Sequence, residues 1–132
     1  MRERGSALVE FQALAILLLV PLVYVLLAAL DVQRTVLGAT QAAREAGRVA
    51  ASTGSEPAAR YAAAVAMRDQ GVDPSAVDVA FRCPSGCTTP GASITVAVST
   101  RVWLPFLPEV LADVAAIPVS ATHTSPIDRY RA

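Results

Sequence analysis

The sequence predicts an α+β protein, in which a long N-terminal helix carries a small head, residues 55–132, with a second helix and about three antiparallel strands. Three observations support this fold class. An apolar run at 12–30 passes into a polar stretch that keeps a helical period. A second helical segment follows a break at 52–55. From residue 77 onward the apolar residues alternate with a period of two, which is typical of half-buried strands.

The apolar run extends from Gln12 to Leu30. About 20 helical residues at about 1.5 Å each span roughly 30 Å, which is the thickness of the hydrocarbon core of a bilayer. Gln12 and Pro21 interrupt the run, but both are tolerable in a membrane helix, where neighbouring groups compensate for the hydrogen bond that proline cannot donate. We therefore predict a transmembrane helix over residues 6–30, with membrane lipid as its surroundings.

Glu10 stands directly before this run. A carboxylate at the mouth of a membrane helix is costly and suggests a functional role with a partner. If the chain were cut after Gly5, Ser6 would become the amino terminus, four residues before Glu10 and on the same helix face. Between subunits packed in a membrane, the Glu10 carboxylate could then pair with the terminal amine of a neighbour.

These residues match a known class of precursors. A short basic leader with Arg2 and Arg4, a glycine at position 5 and a glutamate fifth in the mature chain resemble the type IV pilin precursors. Phe11 after the glutamate resembles the Tad (tight adherence, Flp-type) branch. Residues 42–48, Ala-Ala-Arg-Glu-Ala-Gly-Arg, resemble the equivalent stretch of TadE-like proteins. The whole chain is similar to TadE-like minor pilins, or pseudopilins.

The resemblance implies a function and a set of partners. A prepilin peptidase would remove the leader, residues 1–5, between Gly5 and Ser6, with Gly5 as its recognition residue. Glu10 followed by Phe11 would set the register between subunits. The partners would be other pilin or pseudopilin subunits and the pilus assembly platform with its ATPase. The head is larger than that of a major Flp pilin, which favours a minor subunit.

The resemblance also carries the predicted topology. Positive charge does not decide it, because Arg2 and Arg4 precede the apolar run while Arg34, Arg44 and Arg48 follow it. The prepilin-like leader and the two cysteines instead favour a single-pass protein of the cell membrane, with a cytoplasmic N-terminus and an extracytoplasmic head. After assembly the protein would either enter the pilus or only prime its assembly.

Beyond the apolar run, residues 31–54 keep the helical pattern, so the first helix is expected to continue out of the membrane. No proline occurs between Leu22 and Ser52. Small and apolar residues recur at steps of three and four, which predicts a stripe on which the head packs. The stripe comprises Val32, Val36, Ala39, Ala43, Ala46 and Ala50. A helix solvated on all sides is the alternative.

The second helix is predicted from Glu56 to Gln70. Ser55 is a suitable N-cap, with Pro57 in the first turn, and Gly71 is a natural stop. Its apolar face is expected to contain Ala58, Tyr61, Ala62 and Val65.

Three strands are predicted after the second helix. The first contains Val77, Val79, Phe81 and Cys83, the second contains Ile94, Val96, Val98, Thr100 and Val102, and the third contains Ile117, Val119 and Ala121. Pro118 favours an edge position for the third strand. A short helix is expected between the last two strands, near residues 108–115. Trp103 and Phe106 flank Pro105 and are expected in the core, with an exposed patch for a partner subunit as the alternative.

Cys83 and Cys87 are separated by three residues across a turn rich in proline and glycine. In an oxidising compartment a disulfide is the preferred interpretation, and its short loop would stabilise the hairpin tip by about 2 kcal/mol. A redox pair and half of a zinc site are the alternatives. The spacing is not the C-x-x-C of thioredoxin-type pairs, and a zinc site needs about four ligands, whereas the chain offers two cysteines and one histidine.

Composition and motifs argue against several functions. Eleven basic residues balance eleven acidic ones, so nucleic acid is not an expected partner. There is no G-x-S-x-G, glycine-rich phosphate loop or H-E-x-x-H motif, so we expect no enzyme activity, small-molecule substrate, cofactor or metal. His123 is expected to be a solvated surface residue, and Asp31 with Arg34 is expected to mark the membrane interface.

A different class of protein also fits the sequence. A single-pass, membrane-anchored extracytoplasmic binding or adaptor module would keep its leader and would never be cleaved. The hypothesis of an uncleaved module predicts that Glu10→Ala leaves function intact. The pilin hypothesis predicts that the same change prevents pilus assembly.

Overall fold

The computed structural model describes residues 3–111 and 114–130, and it confirms the predicted α+β class. Two helices precede a three-stranded antiparallel sheet: α1 (Glu3–Thr53), α2 (Glu56–Asp69), β1 (Asp78–Arg82), β2 (Ser93–Trp103) and β3 (Ala116–Pro126). Short 3₁₀ turns cover Pro74–Ala76 and Glu109–Leu111. The chain divides into two compact units. The first ends at Asp31 and the second begins at Val32.

The N-terminal unit contains the first part of α1. The helix passes through Pro21 without ending. Its large apolar side chains are exposed, and none of the residues in its most apolar 18-residue window is buried. An exposed apolar surface of this length marks a lipid or protein contact. By length and composition, α1 is the one helix in the described part of the chain that is apolar enough to cross a bilayer.

In the C-terminal unit, α1 packs through a face of small residues. The predicted stripe is confirmed at Ala39, Ala43, Ala46 and Ala50, which are all buried. It is wrong at Val36, which is 43% exposed, whereas the neighbouring Thr35 is 6% exposed. The buried face is rotated toward Thr35, Gly38 and Ala42 because glycine and alanine allow α2 to approach closely there. One face of α1 within residues 32–53 thus belongs to the core of this unit.

A tight corner joins the two helices where the sequence predicts a break. Gly54 ends α1 with a φ of +70°, which glycine adopts without strain. Ser55 caps α2, because its Oγ accepts a hydrogen bond from the Ala58 amide at 3.4 Å. Gly71, with a φ of +76°, follows the C-cap Gln70. The predicted bounds of α2 are therefore confirmed to within one residue.

The buried face of α2 differs from the predicted one. Ala59, Ala63 and Met67 are fully buried, whereas Tyr61 is 72% exposed. Alanine occurs on every side of α2, so the apolar spacing alone did not select a face. Close approach to α1 selects it instead: a Cβ placed on Gly38 would lie 3.4 Å from the Met67 Sδ.

The sheet has the order β1-β2-β3, with both pairs antiparallel. Val98 in the central strand pairs with Val79 of β1 and with Ala121 of β3. The alternation predicted for β2 is confirmed in full, because its five inward residues are all buried: Ile94, Val96, Val98, Thr100 and Val102. Pro118 lies in β3, an edge strand as predicted, where its missing N–H costs no hydrogen bond of an inner ladder.

The connection between β2 and β3 does not form the predicted helix. Within the described residues it contains only the 3₁₀ turn Glu109–Leu111, and residues 112–113 of the prediction lie outside the described part of the chain. Leu111 and Val114, two apolar residues within the predicted helix, are exposed. A short helix needs a buried face for its stability, and the apolar side chains described in this segment, Val110, Leu111 and Val114, are all exposed.

Candidate functional site

The candidate site at the start of α1 contains Ser6, Glu10 and Phe11. The Ser6 hydroxyl donates a hydrogen bond to the Glu10 Oε1 at 3.2 Å. Residues 6 and 10 therefore lie on one face of the helix, one turn apart, as their spacing predicts. Phe11 is exposed beside them. The bond between Gly5 and Ser6 lies in the first turns of α1, which begins at Glu3.

The charge of Glu10 is isolated along the helix. No other charged residue occurs until Asp31, and the twenty intervening residues include the apolar run. The carboxylate thus stands at the boundary between a polar start and an uncharged helix. In this position it can accept hydrogen bonds from its own helix turn or from a donor on another molecule.

The second predicted site, the cysteine pair, is oxidised in the structure. The sulfur atoms of Cys83 and Cys87 are 2.01 Å apart and the two Cα atoms are 5.0 Å apart. The pair closes the turn after β1, where the Gly86 amide also donates to the Cys83 carbonyl at 3.2 Å. Phe81 and Cys83 pack against the core of the C-terminal unit. The disulfide is therefore attached to the hydrophobic core at the base of an exposed turn.

An arginine that the sequence analysis missed joins α2 to β1. The Arg60 Nη1 donates to the Val79 carbonyl at 2.5 Å, and its guanidinium lies 5.0 Å from the centre of the Phe81 ring. Glu56, one turn earlier, lies 3.8 Å from the same guanidinium. The i,i+4 spacing of Glu56 and Arg60 is visible in the sequence, but the contact with β1 is not.

His123 is not the solvated surface residue that the sequence predicts. It is half-buried in β3 and faces α1, because a Cβ placed on Gly47 would lie 3.3 Å from the His123 Cδ2. The missing side chain of Gly47 leaves the space that the imidazole ring covers. His123 therefore contributes to the packing between α1 and β3.

A shallow groove of about 480 Å³ lies beside this contact, between α1 and β3. Charged side chains of both signs line it: Arg44, Glu45, Arg48 and Asp128. Arg48 donates two hydrogen bonds to the Glu45 carboxylate, and these bonds lower the pKa of Glu45. Glu45 and Arg48 pair along α1, and charges of both signs line the groove, so it does not favour ligands of one sign.

The connection between β2 and β3 contains the largest departure from the predicted core. Trp103 is 52% exposed and Phe106 is 91% exposed, so the expectation that both lie in the core is wrong. The strand ladder ends at Trp103, and the residues that follow turn away from the sheet. The alternative interpretation, an exposed patch, agrees with the structure.

No family model, curated protein or solved structure matches this chain. The function must therefore be inferred from the residues themselves. Two features remain: the Glu10 carboxylate one helix turn after Ser6, and an exposed apolar helix that precedes a disulfide-bonded α+β head.

Proposed function

We propose that this chain is a TadE-like minor pilin, or pseudopilin, of a Tad/Flp pilus assembly system. In this proposal a prepilin peptidase cuts between Gly5 and Ser6. The mature subunit is anchored by residues 6–30 with its head outside the cytoplasm. It then joins other pilin or pseudopilin subunits at the assembly platform and primes or caps a pilus.

The placement of Glu10 relative to Ser6 is the single observation that carries the proposal. The 3.2 Å hydrogen bond between their side chains puts the future amino terminus and the carboxylate on one helix face. After cleavage the terminal amine is a cation, and a carboxylate at the edge of lipid needs such a partner. In a bundle of parallel copies, one subunit's amine can reach the Glu10 of its neighbour and fix the stagger between them.

The apolar surface of α1 supports the same proposal. A helix whose most apolar 18-residue window contains no buried residue must be covered by lipid or by other helices. A pilin uses both covers in turn: lipid before assembly and neighbouring subunits afterwards. The disulfide of Cys83 and Cys87 is consistent with a head in an oxidising compartment.

Cleavage can be tested with a glycine variant. Gly5→Val and wild type are expressed in cells with and without a prepilin peptidase, and the intact masses of the purified chains are compared. A side chain at position 5 should block the cut, so the variant should keep its five-residue leader while wild type loses it. Gly38→Ala, a change in α1 beyond the apolar run, serves as the matched glycine control and should be cleaved normally.

The opposite result would identify the other class of protein. If wild type retains residues 1–5 in cells that process another prepilin, the chain is an uncleaved membrane-anchored module. Glu10 would then have no terminal amine as its counterpart, and the proposal would be wrong.

A further inference from the structure

Large apolar side chains are concentrated on the connection between β2 and β3. Phe106 and Val110 are each 91% exposed and Val114 is 85% exposed, beside the half-exposed Trp103. We call these four residues the apolar loop patch. Exposed apolar residues scattered singly need no explanation, but several on one short segment mark a contact surface.

Phe106 is held in a conformation that a phenylalanine rarely adopts. Its φ is +63°, in the left-handed region, and it follows Pro105 in a turn. The residue after such a proline is most often glycine, because a Cβ is strained there. Here that position presents an aromatic ring outward instead. Strain of this kind is concentrated at sites that bind a partner.

Trp103, the first residue of the apolar loop patch, lies toward the end of the C-terminal unit where the chain enters that unit. A Cβ placed on Gly38 would lie 3.1 Å from the Gln70 Cβ, so the C-terminal end of α2 is beside the start of this part of α1. The 3₁₀ turn that follows α2 reaches β2 at its late residues, because the Thr100 Oγ1 donates to the Ala76 carbonyl at 2.9 Å. Trp103 lies three residues further, about 10 Å along the strand.

The opposite end of the same unit contains the other strand termini. Ser93, the first residue of β2, pairs with Pro126, the last residue of β3. Nearby on β3, Ser125 faces Gly47, late in α1. Strand β2 therefore runs back from this end toward the residues with which α1 enters the unit, and its last residue, Trp103, brings the start of the apolar loop patch to that side.

We propose that the apolar loop patch inserts into the interfacial layer of the bilayer and gives the head a second lipid contact. The inference rests on the membrane anchoring in the proposed function, but it does not need cleavage of the leader. Asp31 is followed at once by the unit that contains the patch, so in an anchored chain no long linker separates the head from the membrane helix. Tryptophan and phenylalanine side chains favour that layer. Because the head is tethered to the bilayer, the effective concentration of lipid around the patch is high.

Trp103 is the only tryptophan of the chain, so its fluorescence reports on the patch alone. The full chain is placed in nanodiscs of phosphatidylcholine, bounded by a tryptophan-free scaffold, at one chain per disc, which excludes contact with a second copy. Discs with brominated acyl chains supply a quencher inside the lipid, and iodide supplies one in water. We expect lipid bromine to quench Trp103 and iodide access to fall about twofold relative to the chain in detergent at high dilution.

Phe106→Gly removes the ring and suits the positive φ, so this variant should fold. It should raise iodide access to Trp103 by about twofold and weaken quenching by lipid bromine. Tyr61→Ser removes another exposed aromatic residue, from α2 and outside the patch, and should change neither quantity. If Trp103 is quenched by iodide and not by bromine in discs, the inference is wrong. Protection that requires several chains per vesicle would also overturn it, in favour of contact between copies.

The test of the lipid contact can be distinguished from the test of the proposed function. The same samples are weighed as intact proteins, so processing and lipid contact are recorded together. A chain that keeps its leader but shows bromine quenching would refute the pilin proposal and support the lipid contact. A cleaved chain whose Trp103 remains open to iodide would support the pilin proposal and refute the lipid contact.

Discussion

Gly47 of α1 lies directly against Ser125 of β3. A Cβ placed on Gly47 would lie 2.7 Å from the Ser125 Oγ, a separation that real Cβ atoms essentially never show. Both residues are buried, and His123 covers the neighbouring space. The close approach of helix to strand thus depends on the absence of a side chain at position 47.

Gly47→Leu should therefore destabilise the C-terminal unit, although leucine is the better helix former. Overpacking of a buried contact typically costs about 1–3 kcal/mol, which exceeds the roughly 1 kcal/mol gained from helix propensity when glycine is replaced. Urea unfolding of the detergent-solubilised chain, followed by circular dichroism, measures the change. Arg44→Leu, at an exposed position one turn earlier, is the control and should shift the midpoint little. An unchanged midpoint for Gly47→Leu would contradict the packing described here.

Removal of the disulfide should weaken the head without unfolding it. Cys83 and Cys87 are four residues apart, and the chain-entropy model gives about 2 kcal/mol for so short a loop. The double variant Cys83→Ser, Cys87→Ser should lower the free energy of unfolding by up to that amount. Reducing agent should lower the stability of wild type equally and leave the variant unchanged. Complete unfolding at 25 °C would show that the bridge holds the whole domain.

Asp73 should make the stability of the head depend on acid pH. Its Oδ1 accepts hydrogen bonds from the Ser75 amide at 2.9 Å and from the Ser75 hydroxyl at 2.8 Å, and these bonds lower the pKa of Asp73. The contribution of a lowered carboxyl pKa is complete above the ordinary value of about 3.9 and is lost as pH falls through the lower folded value.

Asp73→Asn keeps an acceptor oxygen but does not titrate. The variant should thus be less stable than wild type near pH 6, and the difference between their urea midpoints should shrink as the pH falls below about 3.9. A difference that stays constant from pH 6 down to pH 2 would show that the ionised carboxylate of Asp73 contributes nothing.

If the chain is a pilin, as proposed, Glu10→Gln should impair assembly but not membrane insertion. The variant keeps the shape of the side chain and should still be inserted in the membrane and cleaved. It cannot pair with a neighbour's terminal amine, and removal of one partner of a desolvated ion pair costs about 3–5 kcal/mol. The amount of subunit in complexes with other pilin subunits, measured by crosslinking in membranes, should therefore fall at least about tenfold. Glu56→Gln in α2 is the charge-matched control. Normal crosslinking of Glu10→Gln would favour the uncleaved module.

Much of the fold could be predicted from the sequence, because apolar residues that recur with a regular period identify helices and strands. The alternation from Ile94 to Val102 has only one arrangement that buries it, and the Ser55 cap with Gly71 fixed both ends of α2. The face of α2 and the rotation of the α1 stripe could not be predicted. Alanine and glycine give nearly uniform helix surfaces, and the closest approach between backbones then decides which side is buried.

The candidate site was only partly predictable. The i,i+4 geometry of Ser6 and Glu10 follows from helix spacing alone, so its placement was foreseeable. The contacts of Arg60 and His123 depend on pairs of elements far apart in sequence, which no local pattern shows. Phe106 looked like a core residue because it is apolar, and its exposure depends on a turn with an unusual φ.

The amino-terminal residue of the native protein tests the central claim most directly. The chain should be purified from membranes of cells that contain a prepilin peptidase, and its N-terminus should be sequenced. The pilin proposal predicts a mature protein that begins at Ser6, with Glu10 as its fifth residue. A native chain that begins at Met1 would contradict the proposal.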